Sequence, residues 1–115
     1  MIVGYFGYRK DNGDAVVRRK RAGRSPRLPW RLDLSNHSPT GLEWGYGGSG
    51  PAQLSLAILA DALDDDARAL KLHQKFKWKV IGRLSQAAPW QLSLAQVQAE
   101  VAMIEQQNEQ EVFGI

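Results

Sequence analysis

Hydrophobic residues cluster at the start of the chain, alternate with charged ones over Trp30 to Leu34 and fall into helical spacing in the second half. Ile2 to Arg9 is rich in β-branched and aromatic residues, Asp11-Asn12-Gly13-Asp14 carries turn chemistry, and Ala15 to Arg21 returns as a second strand. Ala22 to Pro29 reads as a loop, because Pro26 and Pro29 cannot donate to a sheet ladder. Trp30, Leu32 and Leu34 then alternate with Arg31 and Asp33, which predicts a half-buried strand over about 30–35. A turn at His37 to Gly41 leads to a fourth predicted strand, about 42–46.

The helical half follows. Pro51 suits a first helical turn, where its missing N–H costs nothing, and Ala52 to Leu63 is apolar nearly all round. A helix over about 50–63 should therefore be the most buried element. Asp64, Asp65 and Asp66 open a second helix, about 65–84, with Ala69, Leu72, Phe76, Val80 and Leu84 as its apolar stripe. Ser93-Leu94-Ala95-Gln96 has capping-box spacing and starts a third, about 93–107, packed through Leu94, Val97, Val101 and Ile104. Val112 and Phe113 are expected either to fray or to dock. The pattern as a whole predicts one α+β domain over 1–115: a four-stranded antiparallel meander followed by two to three packed helices.

Composition narrows the function. With 115 residues there is room for one modest core, and the absence of cysteine removes disulfides, thiolate metal sites and thiol nucleophiles. No apolar run reaches the ~20 residues that span a bilayer, and the N-terminal residues lack the order of a secretory signal, so a cytoplasmic protein is expected. No cofactor motif or metal-ligand spacing occurs, and neither a cofactor nor a metal is expected.

The net charge of +3 conceals four blocks. Residues 1–31 carry a net +7, 32–67 carry −6, 68–83 carry +6 and 84–115 carry −4. Such blocks can pair within a fold or leave a basic face for an acidic partner. Arg68, Lys71, Lys75, Lys79 and Arg83 recur every three or four residues along one side of the second helix. Together with Arg18, Arg19, Lys20, Arg21 and Arg24 they form a candidate basic surface for a nucleic acid or a nucleoprotein complex, although a solvated face is the ordinary fate of such residues.

Glu43-Trp-Gly-Tyr-Gly-Gly-Ser-Gly-Pro-Ala-Gln53 is the most specific stretch. Glycine lets backbone approach a bound group, and a helix start presents free N–H donors, so Glu43, Trp44, Tyr46, Gly47, Gly48, Ser49 and Gln53 are candidate ligand- or partner-binding residues. The plainer alternative is a tight strand-to-helix turn, with Gly48 at positive φ. Asp33, His37, Ser38, Glu43 and Ser49 have side chains suited to acid–base or nucleophilic work, but in no recognisable triad order or carboxylate pairing. His73 reads as a boundary residue.

The string HSPTGLEWGYGGSGPAQLSLAIL, with the later LHQKFKWKVIGRL, resembles a family of short bacterial, prophage and plasmid proteins grouped as a domain of unknown function. The resemblance covers about 32–84, with Leu42 and Ser55 departing from its pattern. It implies a shared site at Glu43 to Gln53 and a mobile-element setting, and supplies no substrate. Binding is expected rather than catalysis: a small phage-type protein engaging an acidic macromolecule, with inhibition of a host defence complex as its most concrete form. The alternative is a protein that binds or hydrolyses a nucleotide-like ligand at 44–53.

Overall fold

A computed structural model of the chain describes residues 2–113, the side chains of Val112 and Phe113 excepted, so the docking expected of those two lies outside the described residues. In chain order the elements are β1 (Ile2–Arg9), β2 (Ala15–Arg21), α1 (Ser49–Leu63), α2 (Asp66–Lys79), a 3₁₀ turn (Ile81–Arg83), β3 (Trp90–Ser93) and α3 (Leu94–Phe113). The architecture is α+β, with a three-stranded antiparallel sheet in the order β2-β1-β3.

The β1–β2 turn closes through Gly13, at φ 90°, whose N–H donates to the Lys10 carbonyl at 2.8 Å. Tyr5 lies opposite Arg19 and Leu92, and Phe6 opposite Arg18 and Gln91. Alternation then puts Tyr5, Gly7 and Arg9 on the face toward the helices and Phe6 and Tyr8 on the other. The segment 22–29 is a loop, and it runs along β2: Arg19 N–H donates to the Pro26 carbonyl and Leu28 N–H to that of Val17, each at 3.0 Å. Leu28 is buried in the core beyond.

Neither of the strands expected at 30–35 and 42–46 forms, and the third strand is instead β3, directly ahead of α3. Arg31 sits at φ 59° and Leu34 N–H turns back to its carbonyl, which no ladder accommodates. The backbone here is satisfied by a helix side chain. Gln53 of α1 donates to the Trp30 carbonyl at 2.6 Å, and its oxygen accepts from the His37 and Ser38 N–H groups at 2.8 and 3.2 Å. Farther on, Leu42 and Trp44 do point inward alternately, but Gly45 N–H donates to Ile81 in the 3₁₀ turn rather than to a strand.

Helix α1 is the centre of the molecule: Gly50 through Ala60 are all buried. Burying a Leu or Ile side chain contributes ~1.5–3 kcal/mol, so Leu54, Leu56, Ile58 and Leu59 make this helix the largest single hydrophobic contribution. Its polar residues are answered internally. The Ser55 hydroxyl donates to the Pro51 carbonyl, while Asp61 accepts from the Tyr5 hydroxyl at 2.8 Å and from Arg19, tying the helix to both long strands. Helix α2 starts at Asp65, whose carboxylate accepts from Arg68 N–H at 3.0 Å. It ends at Lys79 rather than near Leu84, because Val80 leaves helical angles and the chain tightens to the 3₁₀ turn. At the start of α3, Gln96 N–H donates to the Ser93 hydroxyl at 3.0 Å and Ser93 N–H to the Gln96 side chain at 2.8 Å, a reciprocal capping pair.

The charge blocks pair in sequence. Arg9–Glu43, Arg19–Asp61, Arg31–Asp33 and Arg31–Asp66 join the first basic block to the first acidic one; Arg68–Glu105 and Lys75–Glu111 join the second of each. No helix among the described residues is long and apolar enough to cross a membrane.

Candidate functional site

The glycine-rich stretch is a packing platform for two aromatic rings. A Cβ on Gly48 would run into the Tyr46 ring, and one on Gly47 into the Trp78 ring. Gly48 has φ −92° and serves as the N-cap of α1, so close approach, not a left-handed backbone, requires glycine there. Positive φ belongs to Gly45, at 88°. Of the other candidate residues in the stretch, Trp44 is fully buried, meets Trp90 edge-on at 5.7 Å and donates its indole N–H to the Ser85 carbonyl. Gln53 is likewise fully buried, and its amide is occupied by the three bonds to the 30–38 backbone. Both are parts of the core.

Glu43, Tyr46 and Ser49 stand apart from them. They face a cleft of about 500 Å³ between the β1–β2 turn and the entry to α1, which Lys10, Asp14, Arg27 and Trp30 also line. Glu43 is held by Arg9, whose terminal nitrogens meet its two oxygens at 3.1 and 2.8 Å while the guanidinium lies 4.5 Å from the centre of the Trp44 ring. Tyr46 is 42% exposed and Trp30 39%, so two large rings stay half-open at the cleft. Lys10 and Arg27 form no ion pair among the described residues.

Of the residues considered for acid–base chemistry, Asp33, His37 and Ser38 are held by partners of their own. Ser38 is buried with its hydroxyl donated to the Gly41 carbonyl, and Asp33 forks onto Arg31, which holds its carboxyl below the usual range. His37 and His73 meet through their Nε2 atoms at 2.9 Å, and His73 Nδ1 lies 2.7 Å from the Leu70 carbonyl. The carbonyl requires a proton on His73 Nδ1, so in the neutral pair His37 donates through Nε2. Burial, and secondarily the neighbouring His37, push the His73 imidazole below its ordinary pKa.

The basic residues divide by location. Arg19 is tied to Asp61, Arg68 to Glu105, and Lys75 to Asn108 and Glu111, so the α2 stripe is in part the seam between α2 and α3. Lys71, Lys79 and Arg83 remain without an ion pair among the described residues, as do Arg18, Lys20, Arg21 and Arg24 on the sheet side.

A surface that sequence reasoning passed over is the outer face of the sheet. Phe6 and Tyr8 lie 6.2 Å apart with their planes only 19° from parallel, over a shallow groove of about 550 Å³ that Lys20 and Gln91 also line. Arg18 donates to the Tyr8 hydroxyl at 3.1 Å, and that bond, with the charges of Arg18, Arg27 and Lys10, lowers the pKa of the phenol. The signal was present in β1 itself: large residues at 5, 6 and 8 occupy both faces of one strand, more than a single core face needs.

No curated protein and no solved structure matches the chain. A family model does, over residues 5–103, which takes in β1 from Tyr5 onward, the cleft and the first half of α3. The chain belongs to that family of unknown function, DUF6166.

Proposed function

We propose that this protein binds single-stranded nucleic acid across the outer face of its sheet. The observation that carries the reading is the near-parallel, half-buried Phe6–Tyr8 pair in a groove that Lys20 lines, with Arg18 on the Tyr8 hydroxyl. Bases stack on exposed aromatic faces whatever their identity, while neighbouring cations follow the phosphates. Aromatic rings at alternate positions of one strand suit successive bases of an unpaired strand; a duplex keeps its base faces covered. Among the described residues Arg18, Lys20 and Arg24 form no ion pair, which leaves cations on this side of the molecule for phosphates. Nothing among the described residues points to a host defence complex as the partner.

Fluorescence anisotropy with labelled single-stranded DNA and RNA tests this, against a duplex of equal length. Affinity should favour the single strands and fall with salt at a slope of about −0.7 per neutralised phosphate. Phe6→Ala should remove ~1–3 kcal/mol of binding while circular dichroism shows an intact fold. Equal binding by a folded Phe6→Ala and the wild type would refute the stacking surface.

A further inference from the structure

The cleft beside the glycine-rich stretch is separate from the stacked pair on the sheet and calls for a different occupant. Its volume of about 500 Å³ lies within the roughly 300–1,000 Å³ typical of small-molecule sites. Trp30 and Tyr46 leave much of their rings exposed there, a cost in contact with water that a flat ligand would relieve. The cations are selective. Among the described residues Lys10 and Arg27 reach the cleft without an ion pair; of the carboxylates that line it, Glu43 is neutralised by the Arg9 fork and Asp14 meets only the Asn12 amide, so two free cations against one free carboxylate favour an anion. Ser49 adds an exposed hydroxyl, and the first turn of α1 contains no acidic side chain to repel one.

We propose that this cleft binds a nucleoside monophosphate, with its base against Trp30 and Tyr46 and its phosphate at Lys10 and Arg27. Both halves of the ligand are required by this arrangement, because the aromatic rings offer a nucleobase contact and the cations a phosphate contact. A free base or a free phosphate would use only one.

Isothermal calorimetry with AMP, GMP, CMP and UMP, and with adenosine and inorganic phosphate as partial ligands, provides the test. At least one monophosphate should saturate the protein, with the partial ligands weaker by roughly tenfold or more. Lys10→Gln, an exposed change that leaves the core untouched, and Trp30→Ala should each weaken that monophosphate by roughly tenfold. Phe6→Ala should bind it as the wild type does, even where it loses oligonucleotide binding. The proposal is overturned if no monophosphate saturates by ~10 mM, if inorganic phosphate alone binds as tightly, if folded Lys10→Gln matches the wild type, or if Phe6→Ala weakens the nucleotide as much as Lys10→Gln does.

Discussion

Arg9 and Glu43 meet as a two-pronged fork, terminal nitrogens to carboxylate oxygens at 3.1 and 2.8 Å, across 34 residues of chain. The same guanidinium donates through Nε to the Gln86 carbonyl at 2.9 Å and covers the Trp44 ring. One side chain thus holds β1, the approach to α1 and the segment before β3 in register. Glu43→Gln keeps the shape and loses the charge. It should lower stability by about 1 kcal/mol in urea denaturation, because the pair is a quarter to a third exposed and partly screened. Arg9→Ala, which also uncovers Trp44 and releases Gln86, should cost more, about 2–3 kcal/mol.

Gly48→Ala should destabilise by ~1–3 kcal/mol through collision with the Tyr46 ring. The diagnostic measurement is a double mutant: in a Tyr46→Ala background the same methyl should cost far less. If the two changes are additive in thermal melts, crowding by Tyr46 is not the reason glycine is needed there.

Gln53→Leu is nearly the same size but leaves the Trp30 carbonyl and the His37 and Ser38 N–H groups without their partner. A loss of about 2–4 kcal/mol is expected. Hydrogen exchange should accelerate at the His37 and Ser38 amides ahead of those in the centre of α1, which marks local detachment of 30–41 rather than global unfolding.

Acidification should destabilise the fold through His73. Its pKa is lowered in the folded protein, so the unfolded chain binds more protons just below the ordinary imidazole value of ~6.5. Stability is therefore full above that value and declines as pH falls through it toward the lower folded pKa. Urea denaturation at pH 7.5 and at 5.5 should show the decline, and His73→Gln should flatten it. A slope unchanged by that substitution would assign the effect to other groups.

The hairpin was legible because a β-branched and aromatic run at 2–9 is followed by turn residues at 11–14 that let Ala15 to Arg21 return. Residues 30–34 show a period of two without a ladder. Leu42 and Trp44 turn inward from an extended segment whose backbone is held by Gln53 and the 3₁₀ turn, long-range contacts that periodicity does not contain. Strand β3 has four residues, too few for a pattern, and was hidden by the capping signal at Ser93. The same limit applies to the surfaces. Glycines at 47 and 48 marked a place where groups come close, but only the fold reveals that those groups are Trp78 and Tyr46. Alternation separated Phe6 and Tyr8 from Tyr5, yet could not say which face of β1 the helices would cover.

The short run of chain beside β2 has one more effect. Exposed strand edges invite a second molecule to add its own strand, and proteins with open sheets must prevent this. Here Pro26 and Leu28 already occupy carbonyl and amide positions of β2, and prolines at 26 and 29 deny the newcomer a continuous row of donors. At the opposite border β3 offers only four residues. Growth of the sheet from copy to copy is blocked on one side and given little purchase on the other, so the half-buried Phe6 and Tyr8 can sit on its outer face without that sheet becoming a seed for its own polymerisation.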